Sequence, residues 1–309
     1  MSAPEAQASG AVRAPTTAFL ASHLLACSVL WASGFLFIKL SAEVPPFAIA
    51  AMRGLIGASA LGLWFLALGR SPLPKRREWR DWLFLGTFNG WGPNVLVAYA
   101  LTQITAGSAA MIQASGPLIV AVMAHMILAD ERLSARRACG VLVGFVGIGI
   151  LIGPAAFPDS GISVTGALAM LATATSYAIG NIYARAIKDA DPARLALGQQ
   201  IFSAVPATAL TLLLIGPAAF AAVPASALPL LGLGVLGTAI PILLFMKLIR
   251  EAGPTRAAMV GYLMPVWTAV LAVTFLGERI GVREILGGLV VLTGVAIVST
   301  TGRLKRPVG

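Results

Sequence analysis

Long apolar stretches separated by short polar segments recur along nearly the whole 309-residue chain. Each stretch approaches the roughly 20 residues that an α-helix needs to cross the hydrocarbon core of a bilayer, and the helix-favouring residues Ala and Leu are frequent within them. The pattern predicts an all-α integral membrane protein with ten transmembrane helices. The predicted spans are residues 18–40, 46–69, 82–101, 106–128, 137–153, 164–186, 193–216, 229–249, 254–276 and 284–301.

The composition agrees with this interpretation, because 58% of the residues are hydrophobic and only 11% are charged. A chain with so few charged residues cannot cover the surface of a water-soluble domain. Residues 1–17 are polar and rich in Pro and Ala, which predicts a disordered cytoplasmic N-terminus, and residues 302–309 are predicted to form a basic cytoplasmic tail. The first apolar stretch is too long for a removed signal peptide and is expected to remain as the first helix.

The second half of the chain resembles the first half. A shift of 146 residues places Trp31 on Tyr177, Gly34 on Gly180 and Pro46 on Pro192. A shift of 148 places Met111 on Met259 and Pro117 on Pro265, and a shift of 147 places Glu131 on Glu278 and Arg132 on Arg279. Charged residues and prolines are infrequent here, so their alignment indicates an internal repeat and not merely a shared composition. Residues 18–153 and 164–301 are therefore predicted to be two five-helix repeats.

The basic residues predict how the helices are oriented. Most of the 22 Lys and Arg residues fall in the tails and in the loops that share a side with the termini, whereas the opposite side receives only Lys39, Arg279 and Arg283. Positively charged loops remain in the cytoplasm, so both termini are predicted to be cytoplasmic in a bacterial-type inner (plasma) membrane. The net charge of +10 also favours anionic lipids. Its spread over several short loops argues against nucleic-acid binding.

Five helices per repeat is an odd number, so the second repeat enters the membrane from the side opposite to the first. Inverted repeats are common in secondary transporters, because their pseudo-two-fold symmetry permits inward-open and outward-open states of similar energy. The architecture by itself therefore favours transport by alternating access. Because one chain contains both repeats, it is predicted to function as a monomer.

Several of these features resemble one known superfamily. They are the ten short helices in two halves, the run of Ala109, Ala110 and Met111 with Pro117, and the turns that contain Glu131-Arg132 and Glu278-Arg279. Over residues 18–301 the chain resembles the drug/metabolite transporter (DMT) superfamily and its EamA family. The resemblance implies a helical bundle around a central cavity and export of small metabolites. Within the family the chain is similar to YddG-type amino acid exporters, which implies aromatic and other apolar amino acids as cargo.

Polar and aromatic side chains inside the apolar spans are candidates for substrate contact, because such groups are costly where they face lipid. In the third helix, Thr87, Trp91 and Asn94 are spaced by four and three residues, which places them on one helix face. Pro93 interrupts this segment and leaves carbonyl groups that a cavity can use. The alternative is a packing kink in which Asn94 bonds a neighbouring helix. The other candidate contacts are Trp31, Tyr99, Gln113, Ser115, Tyr177, Asn181, Tyr262 and Trp267.

Prolines interrupt several of the predicted helices. Pro117 and Pro265 lie at matching places in the fourth and ninth helices, and Pro93 and Pro241 lie in the third and eighth. Discontinuous segments at matching positions of two halves are typical of the binding site of a transporter. The four prolines are therefore predicted to be hinges or helix breaks. A structural kink that only lets the helices pack is an equally good interpretation of each proline taken singly.

Arg53 is the only cationic residue well inside a predicted span. One hypothesis is that it contacts the carboxylate of a substrate. The alternative is that its side chain reaches toward the external surface or bonds a helix end. The equivalent residue of the second repeat, Gln199, is uncharged, so a role in charge capture is not duplicated there.

The twelve acidic residues all fall in predicted loops, tails or helix ends. Proton-coupled exporters commonly use a buried carboxylate that exchanges a proton for cargo, so the sequence predicts facilitated diffusion. His23 and His125 are placed near cytoplasmic helix ends, where a solvated or capping histidine is the expected role.

Enzyme motifs are missing from the sequence, which predicts a protein that is not an enzyme. Cys27 and Cys139 are isolated, which argues against a metal site and against a disulfide. No cofactor is expected, and the predicted partners are a small-molecule substrate and the lipid bilayer. Amino acids are favoured as cargo, because an organic-cation exporter needs a deep carboxylate and a sugar-phosphate exchanger needs paired cations at the cavity. A multidrug or organic-cation exporter, and a nucleotide-sugar or sugar-phosphate exchanger, are the alternatives.

Overall fold

The computed structural model describes residues 16–75, 78–127, 134–152, 163–187, 191–252 and 260–300, and helices fill most of them. α1 is Thr17–Leu40 and α2 is Pro46–Ala67; α3 joins Glu78–Gly86 to Gly92–Gln103 through a π turn at Thr87–Trp91. α4 joins Ala106–Gln113 to Gly116–Ile127, and α5 is Ala135–Ile152, α6 Val164–Ala186 and α7 Pro192–Leu214. α8 joins Ala227–Gly234 to Ile240–Ala252 through a π turn at Val235–Ala239, and α9 is Val260–Leu276 and α10 Val282–Thr300.

These ten helices confirm the predicted all-α membrane architecture. Within the described ranges, five stretches are long and apolar enough to cross a membrane by themselves, namely Thr17–Leu40, Pro46–Ala67, Ala106–Met123, Pro192–Leu214 and Ala227–Phe245. Shorter apolar helices cover Ala138–Leu151 and Leu263–Leu276. The predicted boundaries need two corrections: α3 begins at Glu78 and not at residue 82, and α4 is interrupted at Ala114 and Ser115. Residues 1–15 and 301–309, which hold nearly all of the two predicted tails, lie outside the described ranges.

Short polar side chains and prolines begin several of the helices. The hydroxyl oxygens of Thr16, Thr105 and Ser163 accept hydrogen bonds of 3.2 Å from backbone N–H groups in the first turns of α1, α4 and α6. Each bond satisfies an N–H group that has no partner within its own helix. α2 and α7 begin at Pro46 and Pro192, where the absence of an N–H group costs nothing.

Glycines let the two halves meet closely across a pseudo-two-fold axis. A Cβ atom built on Gly140 of α5 lies 2.9 Å from the carbonyl oxygen of Gly294 in α10. A Cβ atom built on Gly147 of α5 lies 2.9 Å from the carbonyl oxygen of Gly287. A shift of 147 residues exchanges these two contacts, because it relates Gly140 to Gly287 and Gly147 to Gly294. α5 and α10 are therefore packed as equivalent helices of two repeats.

α2 and α7 form a second symmetric crossing. A Cβ atom built on Gly54 lies 2.7 Å from the backbone nitrogen of Ala204, and one built on Gly57 lies 3.3 Å from Oε1 of Gln200. Gly54 and Gln200 are equivalent residues under the shift of 146, so the same part of each helix lies at the crossing. The backbones approach this closely because the α2 residues at the contact lack side chains.

The two ends of the helix bundle are packed differently. The Glu278 end holds the connections 41–45, 104–105 and 277–281, and the terminal end is where α1 begins and α10 ends. The largest apolar cluster is concentrated toward the Glu278 end, where Phe35, Leu101 and Met170 pack together with much of α4. Smaller clusters at the terminal end join α2 with α7 and α8, and α1 with α8 and α9. Among the described residues, apolar packing is therefore more extensive toward the Glu278 end.

Candidate functional site

Two π turns occupy equivalent positions in α3 and α8. The N–H group of Gly92 donates to the carbonyl of Thr87, and that of Ile240 donates to the carbonyl of Val235. In each helix a proline follows one residue later, as Pro93 or Pro241, and these prolines are 148 residues apart. Because proline has no N–H group, the carbonyl four residues before it loses its helical partner. The matched prolines therefore accompany matched helix irregularities.

The carbonyl groups released by the π turn of α3 are bound by side chains of other helices. The hydroxyl group of Ser176 in α6 donates to the carbonyl oxygen of Phe88 at 2.7 Å. Nε2 of Gln199 in α7 donates to the carbonyl oxygen of Asn89 at 2.8 Å. In a regular helix these carbonyls would accept from residues 92 and 93. The two side chains therefore replace backbone hydrogen bonds that a membrane interior cannot supply with water.

Arg53 performs the corresponding task at the π turn of α8. Its Nη2 atom lies 3.4 Å from the carbonyl oxygen of Gly237, and its Nε atom donates to Oγ1 of Thr238 at 2.8 Å. The hydroxyl group of Thr238 donates in turn to the carbonyl of Leu233 at 2.8 Å. The guanidinium group is thus held by neutral groups of a neighbouring helix. One alternative raised for Arg53 was that it bonds the end of a helix. The structure shows a similar contact, but with backbone and side-chain groups in the interior of α8.

A chain of polar contacts links α3 to α6 along much of their length. The hydroxyl group of Tyr177 donates to Oδ1 of Asn94 at 3.5 Å, and Nδ2 of Asn89 donates to Oδ1 of Asn181 at 3.3 Å. Nearer the terminal end, Tyr183 in α6 donates to an Asp81 carboxylate oxygen at 2.7 Å. The structure therefore brings the predicted residues Asn94, Tyr177 and Asn181 to one interface. Asn94 is nearly fully buried there, whereas Asn181 is exposed.

The predicted stripe of Thr87, Trp91 and Asn94 does not form a single surface. Trp91 packs against alanines of α2 and α7, whereas Asn94 contacts Tyr177 of α6. The hydroxyl group of Thr87 donates to the carbonyl of Leu83 within its own helix at 2.9 Å. The expectation assumed a regular helical repeat of 3.6 residues, but the π turn ends at Trp91 and adds a residue to that turn. The side chains beyond it are rotated accordingly.

Other predicted contacts are held by local packing. Trp31 lies with its ring 4.8 Å from that of Phe245 in α8, measured between centroids. The hydroxyl group of Ser115 is fully buried and donates to the carbonyl of Ile112 at 2.7 Å, next to the interruption of α4. Oε1 of Gln113, in the turn before this interruption, is buried and has no hydrogen-bond partner in the described part of the molecule. Gln113 is therefore the predicted contact that most clearly retains free bonding capacity.

The remaining candidates are spread over α3, α4 and α9. Tyr99 has an exposed fraction of 39%, and Trp267 is half-buried. The side chain of Tyr262 lies outside the described atoms. Pro117 is the second residue of the Gly116–Ile127 segment, so it lies in the first turn after the interruption of α4. Pro265 is buried within α9.

Glu278 connects the loop between α9 and α10 to the first turn of α4. One carboxylate oxygen accepts from the N–H group of Ala106 at 2.9 Å, and the other accepts from that of Gly107 at 3.3 Å. A carboxylate at a helix N-terminus satisfies unpaired N–H groups and interacts favourably with the helix dipole. The contact therefore joins the two repeats at the Glu278 end. Its repeat equivalent, Glu131, lies outside the described residues.

Arg194 organises the opposite end of the molecule. Nε and Nη2 bind the two carboxylate oxygens of Glu78 at 2.9 and 2.6 Å. Nη1 and Nη2 also donate to the loop carbonyls of Ser71 and Leu73 at 3.0 and 2.8 Å. A guanidinium group with a bidentate carboxylate partner is geometrically specific. Arg194 therefore fixes the connection between α2 and α3 against the start of α7.

Asp191 stabilises the same region from the position before α7. It pairs with Arg70 and accepts a hydrogen bond from the N–H group of Ala193 at 2.9 Å. Partial burial raises the pKa of Asp191, but the hydrogen bonds and the charge of Arg70 outweigh burial and hold the pKa below its ordinary value. The carboxylate is therefore ionised at neutral pH.

Acidic side chains are absent from the middle of the described helices. Seven of the twelve carboxylates have described side chains, and they lie in connections or near helix ends. They are Glu43, Glu78, Asp81, Asp191, Glu251, Glu278 and Glu284. Within the same ranges no group of three His, Cys, Asp or Glu residues is close enough to hold a metal ion.

Sequence reasoning did not find several residues of the central polar region. Asn89, Ser176 and Thr238 were not singled out, and Gln199 was considered only for its lack of charge. The signal that could have found the carbonyl sites is the proline pair, because each proline identifies the carbonyl four residues earlier as one that needs a new partner. The identity of the donors depends on how distant helices pack, which no local pattern contains.

The arrangement of two equivalent five-helix halves agrees with the comparison to protein families. The model of the EamA-like transporter family matches this chain twice, over residues 18–153 and 164–300. The chain belongs to the EamA-like transporter family. Each of the two matches covers five of the ten helices. The resemblance to the EamA family that the sequence analysis noted is therefore confirmed.

Individual relatives of this EamA-like transporter are distant but align over nearly the whole chain. It is 27% identical over 292 residues to the uncharacterized inner membrane transporter YedA of Escherichia coli K12, covering 92% of this chain and 91% of YedA. It is 24% identical over 289 residues to a probable amino-acid metabolite efflux pump of Salmonella typhimurium, covering 90% and 94%. A solved crystal structure, 21% identical, aligns with a TM-score of 0.66 over 93% of this chain and 99% of its own. That alignment shows a shared fold.

Proposed function

We propose that this transporter exports amino acids and related small zwitterions, chiefly aromatic and other apolar amino acids, by alternating access through the centre of the bundle. The observation that carries the proposal is the asymmetry between the ends of the molecule. Glu278 and the largest apolar cluster close one end, whereas the described clusters at the terminal end are smaller and separate. A pseudosymmetric bundle closed at one end is one of the two states that alternating access requires.

The orientation follows from the distribution of charge. The loops at the terminal end carry most of the basic residues, which supports a location of that end on the cytoplasmic side of a bacterial inner membrane. The name of the relative YedA includes an inner membrane location. With this orientation the described state is closed to the outside, and substrate enters from the cytoplasm.

The chemistry of the interior suits a zwitterion with an apolar side chain. Amide and hydroxyl groups of Asn94, Gln113 and Tyr177 can both donate and accept hydrogen bonds, so they complement an ammonium group and a carboxylate group at once. The absence of a mid-membrane carboxylate among the described residues disfavours organic cations as the main cargo. The Salmonella relative, named as a probable amino-acid metabolite efflux pump, supports the same substrate class.

Counterflow in proteoliposomes tests the proposal. Proteoliposomes that contain the purified transporter are loaded with one unlabelled compound. Uptake of labelled amino acids, sugars, sugar phosphates and organic cations is then compared. We expect counterflow of L-phenylalanine and other apolar amino acids, and we expect an imposed pH gradient to drive no uptake when the substrate gradient is zero. Counterflow of only cations or only sugar phosphates would replace the proposal by one of these alternatives.

Two substitutions examine the proposed contacts. Asn94→Ala and Tyr177→Phe each remove hydrogen-bonding groups, and each is expected to reduce kcat/KM about tenfold, which corresponds to about 1.4 kcal/mol. Thr175→Ala is the matched control in α6, because the Thr175 hydroxyl group is bound to the carbonyl of Leu171 in its own helix at 2.9 Å. If Asn94→Ala and Tyr177→Phe behave like this control, the α3–α6 interface is not part of the substrate site.

A further inference from the structure

Arg53 carries a charge that has no acidic partner in the described part of the molecule. It lies seven residues after the start of α2 at Pro46, which is about 10 Å along the helix axis. The ion pairs within the described ranges join Arg70, Arg194, Lys247 and Arg283 to carboxylates, and none includes Arg53. A positive charge therefore remains inside the predicted span, where low dielectric strengthens its field.

The partners of Arg53 fix the position of the guanidinium group without neutralising it. A carbonyl group and a hydroxyl group bind Nη2 and Nε, and Nη1 has no hydrogen-bond partner among the described residues. The Arg53 side chain is only half-buried, so these partners do not enclose the guanidinium group. A substrate in the interior can therefore approach its charge.

The second repeat shows that charge is not needed for the structural task. Gln199 is equivalent to Arg53, and Asn89 is equivalent to Gly237 under the shifts of 146 and 148 residues. Gln199 donates to the carbonyl of Asn89 at 2.8 Å, so a neutral amide suffices to bind the carbonyl of a π turn. A glutamine at position 53 would supply that bond without the long guanidinium group and without its cost of burial.

We infer that the charge of Arg53 is a specificity determinant, which admits substrates with a carboxylate group and excludes organic cations from the pathway. This inference rests on the proposed transport function and adds the feature that substrates must share. A carboxylate approaching the free Nη1 edge gains a charge-assisted hydrogen bond, whereas a cation meets repulsion in a medium that screens it poorly.

The test compares one variant that removes the charge of Arg53 with another that keeps it. Arg53→Gln keeps a donor for the Gly237 carbonyl and removes the charge, and Arg53→Lys keeps the charge and removes the fork of donors. Inhibition of L-phenylalanine counterflow is measured with unlabelled L-phenylalanine and with benzyltrimethylammonium, a permanent cation of similar size. The ratio of the two inhibitory concentrations reports preference for the carboxylate-bearing compound.

We expect Arg53→Gln to reduce this preference at least tenfold, equivalent to about 1.4 kcal/mol, and Arg53→Lys to stay within about threefold of the natural protein. An unchanged ratio in folded Arg53→Gln protein, or an equal reduction in Arg53→Lys, would overturn the inference. Failure of the natural protein to transport phenylalanine overturns the proposed function separately. In that case the preference is measured from the thermal stabilisation that each compound gives, and equal stabilisation, or none from either, overturns the inference as well.

Discussion

Arg53 and Gln199 make the same hydrogen bond in opposite halves of the molecule. Arg53 in α2 reaches the carbonyl of Gly237 in α8, and Gln199 in α7 reaches the carbonyl of Asn89 in α3. In each half, the second helix therefore binds the irregular third helix of the other half. Each π turn is held by a side chain that crosses between repeats. The two repeats are consequently connected at positions where their helices are irregular.

Removing one of these donors is expected to destabilise the fold. Gln199→Ala leaves the buried carbonyl of Asn89 without its partner, and an unsatisfied buried acceptor costs about 1–3 kcal/mol. The free energy of unfolding in mixed micelles measures this loss. Gln199→Arg is the comparison, because it reproduces the arrangement of the first repeat and supplies a donor of sufficient length. Equal stability of the alanine variant and the natural protein would show that the bond contributes nothing to the fold.

The close contact between α5 and α10 gives a second prediction. A Cβ atom on Gly147 lies 2.6 Å from the backbone nitrogen of Val291, whereas one on Gly149 meets no atom within 4 Å. Gly147→Ala forces the helices apart and is expected to cost about 1–3 kcal/mol. Gly149→Ala in the same helix fills open space and favours the helix by up to about 1 kcal/mol. Opposite shifts of the unfolding midpoint would verify the crossing, and equal shifts would contradict it.

The helices and the repeat were predictable from the sequence because both are expressed in local patterns. Apolar stretches of sufficient length identify helices, and prolines such as Pro93 and Pro241 identify where their regularity fails. The matched positions of Arg53 and Gln199 were also visible, since a shift of 146 residues relates them. These features need no knowledge of how the helices pack.

The side-chain partners were not predictable, because they depend on the packing of helices that are distant in sequence. Arg53 and Thr238 are 185 residues apart, and neither local periodicity nor composition brings them together. The predicted stripe from Thr87 to Asn94 is interrupted for a local reason, since the π turn between these two residues changes the number of residues in one turn. The irregularity was expected from Pro93, but its effect on the orientation of side chains was not.

A third prediction concerns the ionic contacts at the terminal end. Arg194 is nearly buried and binds Glu78 and two loop carbonyls, so Arg194→Ala is expected to cost more than about 2 kcal/mol. Arg194→Lys loses the bidentate geometry and is expected to recover only part of this. Lys247→Ala is the control, because the Lys247–Glu251 pair is exposed at 4.0 Å and such pairs contribute about 0.5 kcal/mol or less. A small effect of Arg194→Ala in unfolding experiments would show that the loop is held in another way.

A fourth prediction concerns Glu278, which binds the N–H groups of Ala106 and Gly107 at the closed end. Glu278→Ala removes a contact between the repeats and is expected to open this end more often. A cysteine reporter measures the opening: Ala110→Cys lies on α4 at a position that is 2% exposed. Cys27→Ala and Cys139→Ser remove the native thiols. A membrane-impermeant maleimide added to intact cells is expected to label the reporter several times faster in the Glu278→Ala background.

Glu43→Ala is the matched control for this experiment, because Glu43 is an exposed carboxylate at the same end of the bundle. It changes the net charge by the same amount but leaves the first turn of α4 untouched, so labelling is expected to remain at the natural rate. The labelling rate of Glu278→Gln is expected to lie between the rates of Glu278→Ala and Glu43→Ala. A neutral amide oxygen still accepts a hydrogen bond from the first turn of α4, but it interacts less with the helix dipole. Equal labelling of the Glu278→Ala and Glu43→Ala proteins would show that the apolar cluster alone closes this end, and that the carboxylate only begins α4.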